Sequence, residues 1–187
     1  MFVIGITGSF GSGKSTVARI FARISGAKIF DADKIAKKAM KNPQIKKRIM
    51  KEFGAADSRK IADIVFADRQ KLKKLNSIVH PAVVEEAKKV AKSEKRIIID
   101  APLLIEAGML GMVDYLVIVK CNVAKSRLKK RFGEDDIRSR LKNQLTLDEK
   151  ISSAMHARKP LFIIDNSFSL AKTERQVKRV WQAMDKE

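Results

Sequence analysis

Near its start the chain reads GSFGSGKST, Gly8 to Thr16, entered from the apolar run Phe2, Val3, Ile4, Gly5, Ile6 and followed by good helix formers. Two glycines bracket four residues and are followed by Lys14 and Ser15, the spacing of a phosphate loop. Glycines allow the tight turn and aim successive backbone N–H groups inward as an anion nest. The positive end of the following helix adds to it. On this pattern Gly11, Ser12, Gly13, Lys14, Ser15 and Thr16 cradle a nucleoside triphosphate. Lys14 reaches the β- and γ-phosphates, the Ser15 hydroxyl coordinates Mg²⁺, and Thr16 bonds the α-phosphate. The strand before and the helix after distinguish this loop from a glycine turn that binds nothing.

The rest of the chain supplies matching elements. Apolar runs at Phe2–Thr7, Lys28–Phe30, Ile97–Asp100, Tyr115–Val119 and Leu161–Asp165 are rich in Ile and Val and do not alternate with polar residues. Parallel strands covered on both faces read this way. Val17, Ile20, Phe21 and Ile24 share one face of a helix starting at Ser15, and Val177, Val180, Trp181 and Met184 share another near the end. Strands alternating with helices predict an α/β sheet with right-handed crossovers. Residues 33–95 hold helical patterns without a strand, and the basic stretch 123–145 is helical with a break at Gly133. Both follow strands, and ligands bind beyond the carboxyl ends of strands in open α/β sheets, so both should border the site.

At 187 residues the chain is expected to be one domain. It has no apolar run able to span a bilayer and no basic leader at its amino terminus, which points to the cytoplasm. Cys121, the single cysteine, agrees with a reducing compartment, and with two histidines it leaves no zinc site of ordinary spacing. The net charge of +19 calls for anionic partners, although a given lysine run is as readily a solvated face.

The phosphate loop does not identify the acceptor. Asp31 and Asp33 of the Asp-Ala-Asp stretch close the second strand. In extended backbone both point to the same side, where a carboxylate near the loop can take the proton of an attacking hydroxyl. Equally, Asp33 precedes a helical pattern and suits an N-cap. Asp100 ends the third strand, where a carboxylate orients Mg²⁺ waters. His80 precedes Pro81. Proline favours the first turn of a helix and pushes its predecessor out of the α region, so His80 reads as a boundary residue at a cleft. A lone histidine is by itself more often structural.

Together GITGSFGSGKSTVARIFARISGAKIFDADKIA, SRKIADIVFADRQKLKKLNSIVHP, IIIDAPLLIEAG, SRLKKRFGEDDIRSRLKNQLTLDEK and FIIDNSFSL resemble the dephospho-coenzyme A kinase family nearly end to end. The carriers include Arg59, Val65, Phe66, His80 and Pro81, the Pro-Leu-Leu-x-Glu segment from Pro102, and Arg127, Arg131, Arg140 and Gln144. The resemblance implies a five-stranded parallel sheet of the P-loop kind, similar to nucleoside monophosphate kinases. Its core would be 1–32, 96–122 and 146–187, with a helical acceptor region at 33–95 and a lid at 123–145. It also implies transfer of the ATP γ-phosphoryl to the ribose 3′-hydroxyl of dephospho-coenzyme A, the last step of coenzyme A synthesis. Asp33, Lys14 and Arg140 would then be catalytic, Arg131 and Asn166 would join the loop around ATP, and Asp31, Arg59, His80, Pro102 and Leu103 would line the acceptor site. Ser15 and Asp100 would hold Mg²⁺. A monomer is expected.

The chain departs from the family pattern at Ser9-Phe10, where Gly-Ile is usual, at Ala124, where a Gln is common, and at HARKPLF, where Ala-Asp usually precedes the last strand. One rival reading is a nucleoside monophosphate kinase, which shares the chemistry with another acceptor. The other is a nucleic-acid-binding ATPase suggested by charge alone. No RNA-binding signature accompanies that charge, and aromatics at 6% are too sparse for a stacking platform. Neither nucleic acid nor membrane is expected as a partner.

Overall fold

The computed structural model describes residues 2–122, 128–129 and 132–185. Five strands form one parallel sheet in the order β2-β3-β1-β4-β5, with β1 at Phe2–Gly8, β2 at Lys28–Asp31, β3 at Arg96–Asp100, β4 at Tyr115–Lys120 and β5 at Leu161–Asp165. Each strand falls on a segment expected from the sequence. Around them lie α1 (Lys14–Ser25), α2 (Ala32–Ala39), α3 (Pro43–Phe53), α4 (Ser58–Ala67), α5 (Arg69–Ser93), α6 (Glu134–Lys142), α7 (Leu147–His156) and α8 (Leu170–Met184). No described helix is long and apolar enough to cross a membrane.

Both faces of the central strands β1, β3 and β4 are buried, which is why those strands do not alternate with polar residues. In β3, Ile97 and Ile99 enter a core with Phe30, Val83 and Leu116, while Ile98 enters the opposite core with Ile4, Ile6, Phe21 and Trp181. Helices α1 and α8 pack together over the second core, and Val17, Val177, Trp181 and Met184 are buried as their spacing predicts. Register brings the strand ends to one edge. Ile6 pairs with Asp100, and Asp100 pairs with Asp31.

Two expectations are corrected here. Strand β2 runs through Asp31 and α2 begins at Ala32 with no linker, so Asp33 lies in a helical first turn and the extended geometry expected for Asp31 and Asp33 does not hold. The capping role falls to Asp31, whose backbone is extended and whose Oδ1 accepts from the Lys34 N–H at 3.0 Å. Asp33 is therefore not the N-cap.

The helix boundary expected at His80-Pro81 is also absent, because α5 continues through Pro81. A proline inside a helix removes the bond to the carbonyl four residues back and costs about 3 kcal/mol. Against this, Leu75, Ile78, Val79 and Val83 are all buried on the turns around it. At about 1.5–3 kcal/mol for each large aliphatic side chain, their burial outweighs the proline. Gly133, where the basic stretch breaks, is the N-cap residue of α6. Arg127, Arg131 and Ala124 lie outside the described residues.

Candidate active site

The phosphate loop connects β1 to α1. Gly13 caps α1 at φ 87°, a left-handed conformation suited to glycine, and the first turn of α1 carries no acidic side chain. The anion-attracting end of α1 therefore has no carboxylate of its own helix to satisfy it. Ser12 N–H donates to the Ser9 carbonyl at 3.1 Å, and Lys14 Nζ donates to the same carbonyl at 3.0 Å. The Thr16 hydroxyl faces Arg19 at 3.5 Å. From the far side, the buried Asn166 donates its side-chain amide to the Ser12 carbonyl at 2.9 Å. A Cβ on Gly13 would collide with that amide, so glycine is required there by space as well as by φ.

Charge concentrates at the strand ends. Burial pushes the Lys14 ammonium down from its ordinary pKa, opposed by Asp100 and Asp33. Burial raises the Asp100 carboxyl, opposed by a hydrogen bond from Ser15 and by Lys14, with Asp31 adding to the rise. Asp33 is raised too, first by desolvation and then by Asp31, against Lys14. Asp33 is exposed, yet the surrounding protein disfavours its charge. Lys14, Asp33 and Asp100 thus sit within electrostatic reach of one another although they come from three segments.

Asp33, His80, Pro102 and Leu103 line one cavity of about 130 Å³. Asp31, Asp100, Ser15 and Arg19 line an adjoining one of about 460 Å³. Burial lowers the His80 pKa, opposed by Glu106, which favours a neutral imidazole at neutral pH. Arg59 is exposed in the first turn of α4, and no hydrogen bond or ion pair among the described residues joins it to this group. Arg140 lies over the ring of Phe10, with its guanidinium carbon 4.9 Å from the centroid, which brings α6 against the phosphate loop.

Comparison with known proteins decides the family. The sequence model described as dephospho-CoA kinase matches residues 2–172. The dephospho-CoA kinase of Aquifex aeolicus is 36% identical, covering 98% of both chains. That of Carboxydothermus hydrogenoformans is 37% identical, covering 96% of this chain and 93% of the relative. The chain belongs to the dephospho-CoA kinase family. The family reaction, phosphorylation of dephospho-CoA as the last step of coenzyme A synthesis, is the activity of this chain. In three dimensions it is similar to the crystal structure of TT1252 from Thermus thermophilus, with a TM-score of 0.76, 30% identity and 97% of each chain covered.

Beside Pro102 the structure of this dephospho-CoA kinase family member also gathers residues that the sequence reading left without a role. Lys150 is 1% exposed and donates to Glu106 Oε1 at 2.9 Å and to the Pro102 carbonyl at 3.3 Å. Glu106 Oε1 also accepts from the Leu145 N–H at 2.9 Å. Glu106 stands in the Pro-Leu-Leu-x-Glu segment, and that motif was its only signal; Lys150 had none, because a lysine in a charged helix reads as surface. The departing segment HARKPLF is tied into the fold, with Lys159 Nζ donating to the Val113 carbonyl at 2.7 Å and the Pro160 carbonyl accepting from Leu116.

Proposed function

We propose that the chain uses ATP as donor and the ribose 3′-hydroxyl of dephospho-CoA as acceptor, with Asp33, Lys14 and Arg140 as catalytic residues. The observation that carries this reading is the convergence of Lys14, Asp33 and Asp100 at one sheet edge. Asp33 takes the hydroxyl proton as the hydroxyl oxygen bonds to the γ-phosphorus and the bond to the β–γ bridging oxygen breaks, releasing ADP. A carboxyl raised by desolvation is a stronger base than a solvated one. Lys14 and the loop N–H groups stabilise charge on the transferring group. His80, Pro102, Leu103, Asp31 and Arg59 are the proposed acceptor-side residues, and Arg131 and Arg140 the proposed lid residues within 123–145. The role proposed for Asn166 is to hold the loop, since both ends of its amide are engaged.

The hard oxygen donors Ser15 and Asp100 fit Mg²⁺, which keeps most of its waters and completes its shell with substrate phosphates. Such an ion would supply charge neutralisation to the phosphates. No cluster of three His, Cys, Asp or Glu side chains among the described residues suggests a dedicated protein cage, consistent with an ion that arrives with the nucleotide. We assign the chain to the cytoplasm as a monomer, without nucleic-acid or membrane partners.

The test is an acceptor panel with ATP: dephospho-CoA, AMP, CMP, UMP and shikimate. Efficient turnover is expected with dephospho-CoA alone. Comparable kcat/KM on a nucleoside monophosphate would overturn the acceptor assignment.

A further inference from the structure

Phe10 stands in the middle of the phosphate loop, and the elements opposite fold down onto it. The Phe10 and Phe132 rings meet edge to face with centroids 5.2 Å apart. The Arg140 guanidinium carbon lies 4.9 Å from the Phe10 centroid and 5.8 Å from that of Phe132. The backbone N–H of Phe10 donates to Gln144 Oε1 at 2.8 Å, just beyond the end of α6. A Cβ on the adjoining Gly11 would meet the buried Leu128 side chain, so the apolar contact extends along the loop. Ring faces carry negative potential and attract a cation, and a guanidinium lies flat against them while its donors point outward in its own plane.

We infer that Phe10 is a positioning residue for phosphoryl transfer: with Phe132 it holds Arg140 against the phosphate loop, so that the guanidinium is already placed when the triphosphate arrives. This rests on the proposed catalytic role of Arg140. A long arginine side chain free to rotate spends much of its time away from the transferring group. Two rings and the Gln144 tether restrict it before substrate binds, which is the preorganisation that makes a charged donor effective in the transition state. No other part of the phosphate-loop pattern calls for an aromatic ring at this position.

The experiment is a set of kinetic double-mutant cycles. Phe10→Leu keeps apolar bulk and removes the ring, Phe10→Tyr keeps the ring, and each is made with and without Arg140→Ala. Melting temperatures are recorded for every variant. Phe10→Leu is expected to lower kcat about 5- to 30-fold, the range of cation–π contacts at partly desolvated sites, with the KM for dephospho-CoA nearly unchanged. Phe10→Tyr should restore kcat, and in the Arg140→Ala background Phe10→Leu should cost nothing further. Gln144→Ala loosens the same contact from the other side and serves if Phe10→Leu folds poorly; its kcat loss should likewise vanish without Arg140. A normal kcat in folded Phe10→Leu beside a slow Arg140→Ala would overturn the inference and leave the Arg140 assignment standing. So would an equal loss in both backgrounds. A normal kcat in Arg140→Ala would remove the catalytic role of Arg140 and the inference with it.

Discussion

The side-chain amide of Asn166 donates to the Ser12 carbonyl at 2.9 Å, and its oxygen accepts from the Thr173 hydroxyl at 2.9 Å. One buried side chain, 154 positions from Ser12 in sequence, thereby ties the phosphate loop to the start of α8. Replacing it strands the Ser12 carbonyl and leaves the Thr173 hydroxyl only its longer bond to the Ser169 carbonyl, at 3.4 Å. Asn166→Ala is expected to cost about 1–3 kcal/mol, the usual penalty for an unsatisfied buried partner. Because the loop loses its brace, the KM for ATP should rise as well. Urea denaturation and ATP-dependent kinetics check the two effects; a KM for ATP that stays put would confine Asn166 to stability.

Lys14→Ala is expected to lower turnover by about 10²–10³-fold, as when one preorganised donor to a developing charge is lost. The fold should survive. Burial disfavours the Lys14 ammonium in the folded chain, so its removal takes away no net stabilisation from charge. Circular dichroism and single-turnover rates measure these separately, and near-normal turnover in the folded variant would exclude Lys14 from the chemistry.

Asp33→Asn should bind ATP normally and transfer phosphate about 10²–10⁴-fold more slowly, the range for a lost general base. Loose phosphoryl transition states favour the lower end. The raised pKa fixes a second outcome. A carboxyl held above its ordinary 3.8 contributes stability below that value and loses it as pH rises through the folded pKa. Wherever Asp33 is ionised it therefore destabilises the fold, and well above its folded pKa Asp33→Asn should melt higher than the parent chain. That advantage should shrink as pH falls towards the ordinary carboxylate range. For the same reason the acid limb of kcat/KM is expected above that range. Melting curves at several pH values test the sign, and an unchanged transfer rate would move the base to Asp31 or Asp100.

Glu106→Leu should destabilise by about 3–5 kcal/mol because it leaves the Lys150 ammonium buried without its carboxylate. Adding Lys150→Met should recover most of the loss, since an apolar pair removes the unmatched charge. Denaturant midpoints of the single and double variants decide. If the single variant is as stable as the parent, the pair contributes little to folding.

What the sequence alone determined is local and periodic. The phosphate loop was legible because its function needs particular residues at consecutive positions, and the five strands were legible because burial on both sheet faces forces uninterrupted Ile and Val runs such as Ile97 to Ile99. Motif resemblance singled out Asp33, His80, Pro102 and Arg140 as candidates; the first three line one cavity, and Arg140 lies against the phosphate loop.

Tertiary structure decided what depends on distant partners. Pro81 marks a helix boundary by local preference, yet α5 passes through it because the apolar side chains on both adjoining turns are buried. Asp31 rather than Asp33 caps α2 because β2 hands over to α2 without a linker, and no local rule sets the length of that junction. Lys150 reads as a surface lysine until the Pro102 carbonyl and Glu106 close over it. Phe10 reads as an anomaly in a phosphate loop until Arg140 and Phe132 lie against its ring. In each case a local preference worth a few kcal/mol at most is overridden by burial and charge pairing between segments that meet only when the sheet is assembled.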